Sequence, residues 1–298
     1  MRLGTRGSAL AIWQADHVAE RLRAAGHEVE IVQFSTKGDR ILDTPLAEIG
    51  DKGLFTQELD QALLSGDLHL AVHSLKDLPT LPVEGLTLAA IPIREDTADC
   101  LISRQGLFFD ELAAGSRVGT GSTRRAAQLR AWRSDVQIVE IRGNVDSRLR
   151  KLDQGQYDAI VLAKAGLTRL GLLERVTQEL PEERVYPAVG QGALGLECRM
   201  DDSATVEALS QLNYPPSYAE ATAERQLLRS LQAGCLAPVG ARATASATCL
   251  SLKARVLSLD GRQVIEGAIE GEPVDSAMLG QRLAAQLLDQ GAARLIER

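Results

Sequence analysis

Apolar residues at Ala11, Ala15, Val18 and Leu22 repeat at the spacing of one helical face. Gly7-Ser8 opens this helix and Gly26 is placed to end it. Residues 2–5 before it and 29–34 after it are strand-like. A second helix is predicted through Phe55, Leu59 and Leu63, stopping near Gly66. Residues 68–73 and 87–93 are apolar runs with the length of buried strands. This alternation of strand and helix predicts a mostly parallel sheet covered by helices.

Near Glu95 the pattern starts again. Strands are predicted at residues 100–103, 117–119, 136–141 and 157–163, and each of the last three leads through a loop into a helix. Residues 189–197 are Gly-rich yet strand-like, as suits a segment crossing between two lobes. Tyr214-Pro215-Pro216 marks a boundary. Beyond it come a helix over 218–231 ended by Gly234, a hairpin of 250–259 and 263–269 turning at Asp260-Gly261, and an amphipathic helix over 277–288. The expected fold is α/β: two lobes followed by a small C-terminal α+β domain.

Composition narrows the function. Aromatics make up only 3% of 298 residues, so the cores rest on Leu, Val, Ile and Ala. No apolar run reaches the length of a membrane span, and residues 1–14 lack the apolar stretch of a secretion signal. A cytoplasmic protein with no membrane partner is expected. The four cysteines (Cys100, Cys198, Cys235, Cys249) form no C-x-x-C pair, which argues against a structural zinc site; no metal is expected. A net charge of −7 makes nucleic acid a poor partner.

The cations are unevenly placed. Gly119-Thr120-Gly121-Ser122-Thr123-Arg124-Arg125 lies between a strand and a helix, where the helix N-terminus attracts an anion and the arginine forks suit carboxylates. Arg142-Gly143-Asn144, with Arg148 one turn on, ends the next strand, and Lys164-Ala165-Gly166, with Arg169 nearby, ends the one after. Ligands of open α/β sheets bind beyond the carboxyl ends of the strands, so these cations are expected to converge on one crevice suited to a small polycarboxylate. His73-Ser74-Leu75-Lys76-Asp77-Leu78-Pro79 sets an ammonium beside a carboxylate at the end of another strand. That pair is either a surface ion pair or a positioned proton-handling group. Gly234-Cys235 is either a packed loop thiol or a nucleophile. His69 and His73 are four residues apart in a strand context and are taken as structural.

Thr5-Arg6-Gly7-Ser8-Ala9-Leu10-Ala11, Lys52-Gly53-Leu54-Phe55, His73 to Pro79, Gly119 to Arg125, Arg142-Gly143-Asn144-Val145, the run 189–192 and Gly234-Cys235 resemble in order the signature segments of the porphobilinogen deaminase family. The resemblance covers residues 2 to about 240 and implies two lobes like those of periplasmic binding proteins, residues 1–94 with 195–214 and residues 95–194. A third domain, 215–298, would carry Cys235 on a loop at the cleft mouth. It implies a covalent dipyrromethane cofactor joined to Cys235 by a thioether, a porphobilinogen substrate added four times with loss of ammonia, and release of linear hydroxymethylbilane by a monomer.

Carried over by position, Asp77 is catalytic, stabilising the cationic azafulvene left by ammonia. Ser74, Lys76, Asp77, Thr120, Ser122, Arg124, Arg125, Arg142, Gly143 and Gln191 would bind the cofactor. Arg6, Ser8, Arg142, Arg148 and Arg169 would hold incoming or growing chains. Lys52 and Phe55 fall on the family's active-site lid, where Phe55 is suited to stack on a pyrrole. Gly121 departs from the family's usual serine and is expected to loosen its loop. The rival is a two-lobed carboxylate-binding module of the same fold, which leaves Gly234-Cys235 unexplained. A dinucleotide enzyme fails for want of G-x-G-x-x-G after a strand.

Overall fold

The computed structural model describes residues 1–36, 56–234 and 237–296; Lys52, Phe55 and Cys235 lie outside the described residues. In chain order come β1 (Arg2–Arg6), α1 (Ala9–Ala24), β2 (Glu30–Phe34), α2 (Gln57–Leu64), β3 (Leu70–Ser74) and β4 (Leu86–Ala90). Then follow β5 (Asp99–Ser103), β6 (Arg117–Gly119), α3 (Thr123–Trp132), β7 (Gln137–Val139), α4 (Val145–Asp153), β8 (Ala159–Ala163), α5 (Lys164–Arg169) and β9 (Gln178–Glu179). Next are β10 (Leu194–Arg199), α6 (Ser203–Ser210), α7 (Pro215–Ser230), β11 (Val239–Ala245), β12 (Leu250–Leu257), β13 (Val264–Gly271), α8 (Ser276–Asp289) and α9 (Ala293–Ile296).

Two five-stranded sheets share one plan. The first runs β2-β1-β3-β10-β4 and the second β7-β6-β8-β5-β9. In each, three strands are parallel (β1 with β2 and β3; β6 with β7 and β8). The fourth, β10 or β5, is antiparallel to both its neighbours. Four of the five strands in each sheet therefore run the same way, mostly parallel as expected, with one strand reversed. The cause is where the chain changes lobe. β10 starts opposite Ser74 and β5 starts opposite Ala163, so both enter their sheets at the carboxyl ends of the parallel strands. A strand entering there has to run backwards.

The two crossing segments touch: Glu95 N–H donates to Gly192 O at 3.2 Å. Gly192 has φ +84°, and a Cβ on it would lie 2.3 Å from Glu95 O, so no other residue fits. Positive φ at Gly190 and Gly192 also explains why the strand expected over 189–197 begins only at Leu194.

Each lobe buries its own core. Val18 and Leu22 of α1 meet Leu3, Leu70 and Leu196 in the first, and Leu101, Val118, Leu129 and Val161 meet in the second. In the third unit β11-β12-β13 form an antiparallel sheet whose Ala241, Leu252 and Val256 pack on Ala223 and Leu227 of α7 and Leu283 and Leu287 of α8. Pro215 and Pro216 open α7, where the missing amide hydrogens cost nothing.

Candidate active site

Between the lobes lies a cleft of about 900 Å³, lined by the loops after β1, β3, β6, β7 and β8 and by the second crossing segment. Among the described residues its lining holds seven cations, Arg6, Lys76, Arg124, Arg125, Arg142, Arg148 and Arg169, against one carboxylate, Asp77. Lys164, expected in the crevice, turns away to Asp96 (2.6 Å) and Glu179 (2.5 Å).

β3 ends at Ser74 and passes into a 3₁₀ turn, Leu75–Asp77. Residues three apart eclipse in such a turn, so Leu75 and Leu78 both face inward, 1% and 7% exposed. Asp77, between them, is exposed and lines the cleft, with Lys76 half-buried beside it. Leu75 N–H donates to Ala193 O (3.0 Å), tying the start of the turn to the crossing segment. The buried amide of Gln14 on α1 donates to Ser74 Oγ at 2.9 Å. Lys76 Nζ donates to Gln191 Oε1 at 3.4 Å. Burial, and then the neighbouring Arg125, push the Lys76 amine down to about 8 against the pull of Asp77 and Asp99.

Asp99, the first residue of β5, organises the cationic floor. Its carboxylate takes Arg124 Nη1 at 2.8 Å, Arg125 Nη2 at 2.6 Å and Gln191 Nε2 at 2.8 Å. Burial alone would raise this carboxyl, but Arg124 and Arg125 outweigh it and hold it well below the usual carboxylate range. Arg124 also donates to Tyr186 O, and Arg125 to Val161 O at 3.1 Å. Arg124 Nε is buried with no hydrogen-bond partner among the described residues. Ser122 caps α3, accepting Arg125 N–H at 3.4 Å. Thr120 does not line the cleft; it is buried and its Oγ1 accepts Ser122 N–H at 3.2 Å. Gly121 does not loosen this loop. It allows close approach to Ile141 O, which a Cβ would meet at 2.9 Å.

Asn144 caps α4 through Ser147 N–H (2.9 Å), and Gly143 O accepts Arg148 Nε at 2.8 Å. Burial, and then Arg125, lower the Arg148 guanidinium to about 10. Arg142 lines the wall, its carbonyl held by Lys151 Nζ at 3.0 Å. Arg169 donates to Gly192 O at 2.6 Å and stacks over Trp13. Arg6 and Ser8 line the first-lobe wall, and Ser8 caps α1 through Ala11 N–H at 3.3 Å. The N-termini of α3 and α4 both open on the cleft, adding partial positive charge.

Behind the wall sits a second polar group. His69 accepts Arg2 N–H at 3.0 Å, whereas His73 lines the cleft and lies 3.2 Å from Glu197 Oε2, at ion-pair distance without hydrogen-bond geometry. Asp60 is buried nearby, accepting Thr56 Oγ1 at 3.0 Å. Burial, and then Glu197, raise its carboxyl to about 6.

The chain matches two family models, "Porphobilinogen deaminase, dipyromethane cofactor binding domain" over residues 1–207 and "Porphobilinogen deaminase, C-terminal domain" over residues 218–289. It belongs to the porphobilinogen deaminase family. Curated relatives named porphobilinogen deaminase include those of Desulforudis audaxviator, 50% identical over 99% of this chain and 96% of that protein, and Trichlorobacter lovleyi, 47% identical over 100% and 96%. Among solved structures, a VFT2 domain of Bordetella pertussis BvgS is 16% identical with a TM-score of 0.43, over 71% of this chain and 85% of that one. An ancestral arginine-binding protein bound to arginine is 16% identical with a TM-score of 0.40, over 71% and 89%.

The cleft fits the cofactor for which the family's first domain is named. Dipyrromethane carries an acetate and a propionate on each ring, and among the described residues the cleft offers charged donors in excess, one of them, Arg124 Nε, buried without a hydrogen-bond partner there. Asp99 and Gln14 belong to none of the sequence motifs, and His73, read from the sequence as structural, lines the cleft. An aspartate heading a strand whose next three residues, Cys100-Leu101-Ile102, are apolar was the available signal, since a charge there requires buried partners.

Proposed function

We propose that this chain is a hydroxymethylbilane synthase, a transferase of tetrapyrrole biosynthesis. It joins four porphobilinogen molecules, releases one ammonia at each addition, and frees linear hydroxymethylbilane by hydrolysis, water supplying the product's hydroxyl and the proton that returns to the retained cofactor. The observation that carries the reading is the charge pattern of the cleft: among the described residues that line it, one carboxylate, Asp77, is displayed among seven cations.

When bound, dipyrromethane supplies the pyrrole carbon to which the first substrate is joined. Lys76, Ser74, Ser122, Arg124, Arg125, Arg142, Gly143 and Gln191 are proposed to hold its carboxylates and rings. Thr120 contributes by holding Ser122. Arg6, Ser8, Arg142, Arg148 and Arg169 are proposed to hold the acid side chains of incoming and growing units. Asp99 keeps the Arg124 and Arg125 forks in place before any ligand arrives, so little ordering cost falls on binding.

Loss of ammonia breaks a carbon–nitrogen bond and leaves a cation on the substrate. The Asp77 carboxylate stabilises that charge, and once the carbon–carbon bond has formed it takes the ring proton. Cys235, just past the described end of the α7 connection at Gly234, is proposed to carry the cofactor thioether. Lys52 and Phe55 are proposed to cover the site.

Sheet membership supports a division into residues 1–94 with 195–214, residues 95–194, and residues 215–298. We also propose a monomer in the cytoplasm with no nucleic-acid or membrane partner. The net charge of −7 supports the first of these exclusions, and no helix among the described residues is long and apolar enough to cross a membrane. Light scattering at micromolar concentration tests the monomer.

The reading is tested by intact mass of the reduced protein and of Cys235→Ser, before and after incubation with porphobilinogen. An excess of two linked pyrrole units in the parent alone, with hydroxymethylbilane formed, is expected. A bare-chain mass throughout, with no product, contradicts it.

A further inference from the structure

The catalytic turn is held at both ends, and the second hold comes from the third domain. At its start, Leu75 N–H is tied to Ala193 O. Beyond Asp77 the chain leaves as Leu78-Pro79, where proline has no N–H and neither residue belongs to a strand or helix. Both exit carbonyls point at one guanidinium. Arg225 of α7 donates from Nη1 to Leu78 O at 2.9 Å and from Nη2 to Pro79 O at 2.7 Å. One turn earlier on the same helix, Ala221, wholly buried, packs with Leu75, Leu78, Ile91 and Ala193. The i, i+4 pair Ala221 and Arg225 therefore presents an apolar seat and a polar fork to the same turn.

Further anchors fix α7 itself. Glu224, next to Arg225, is 0% exposed and accepts Gly190 N–H and Ala243 N–H, each at 2.8 Å. The helix is thus pinned to the crossing segment and to the third sheet. Its C-terminus leads through Gly234 to Cys235.

From this geometry we infer that Arg225 is a positioning residue for the known reaction: its two-pronged grip on Leu78 O and Pro79 O sets where Asp77 stands in the cleft. The inference rests on the reading of Asp77 as the catalytic carboxylate. A planar fork suits two successive carbonyls as a lysine ammonium does not. Loss of the fork leaves Leu78 seated on Ala221 but frees the exit of the turn. A misplacement of about 1 Å is worth about 100-fold in rate where orientation matters.

The test uses the full, cofactor-loaded chain with turnover of porphobilinogen, and intact mass and thermal unfolding as controls. Arg225→Gln is expected to lower kcat about 10- to 100-fold with KM within about 3-fold. Arg225→Lys, which keeps the charge on a single donor nitrogen, recovers part of the loss. In an Asp77→Asn background, Arg225→Gln is expected to add less than about 2-fold, because the group it positions is already gone.

Unchanged kcat in Arg225→Gln, or the same fold-loss with and without Asp77, overturns the inference while leaving Asp77 catalytic. Near-normal turnover of Asp77→Asn alone overturns the underlying reading. Should Arg225→Gln not load or fold, Arg225→Lys decides: reduced kcat at unchanged melting temperature supports the grip, and parental kcat overturns it.

Discussion

Glu224 closes on Arg94 with both oxygens, Oε1 to Nη1 at 2.8 Å and Oε2 to Nη2 at 2.9 Å, and their side chains are 0% and 4% exposed. Arg94 also donates from Nε to Gln191 O at 2.8 Å. One ion pair thereby joins the first crossing segment, the second crossing segment and the third domain. Such a pair adds little over an apolar substitute of the same shape, but breaking it strands a buried charge.

Glu224→Ala is accordingly expected to destabilise the protein by about 3–5 kcal/mol. Denaturant unfolding measures this. A loss under about 1 kcal/mol, the worth of an exposed pair, contradicts the burial argument.

Lys76 gives a pH prediction. With its amine pushed down to about 8, it loses its charge as pH rises through that value. Loading of the bare chain with porphobilinogen is expected to slow above pH 8, while Lys76→Arg, charged throughout, keeps its rate. Initial loading rates from pH 7 to 9.5 check it; the same alkaline fall in both proteins contradicts it. The stability sign is opposite. Between about 8 and the ordinary lysine value the unfolded chain binds more protons, so this group's contribution to stability grows with pH.

Asp60 gives a second. Its carboxyl is raised to about 6, so between the ordinary aspartate value and 6 the native state binds more protons than the unfolded one. Stability then falls as pH rises through this window, and the penalty is complete above it. Asp60→Asn, which can keep the Thr56 contact, is expected to raise stability at pH 7.5 by on the order of 2 kcal/mol and to change little below pH 4. Thermal unfolding at the two pH values tests the difference. Equal shifts at both remove the ionisation argument.

What the sequence disclosed followed from local pattern. Periodicity located α1, β3 and β8, and the loops at Gly119 and Arg142 were recognisable because strand, glycine and cap lie within a few residues. Asp99 was harder: its partners stand 25 and 26 residues away on another element, and only folding brings them together. The direction of β10 was hidden for the same reason, since it depends on where the chain crosses rather than on its own composition. β11 (Val-Gly-Ala-Arg-Ala-Thr-Ala) and α6 went unpredicted because alanine-rich segments carry a weak apolar rhythm. Arg225 gave no signal, as it grips backbone carbonyls, which any sequence supplies.

The most direct test of the account is porphobilinogen turnover by Asp77→Asn, on protein whose intact mass shows the cofactor loaded. As the one carboxylate among seven cations of the described cleft, Asp77 is expected to be indispensable to the rate and dispensable to retention. The account predicts a fall in kcat of at least about 100-fold with cofactor mass unchanged. Turnover within a few-fold of the parent contradicts it.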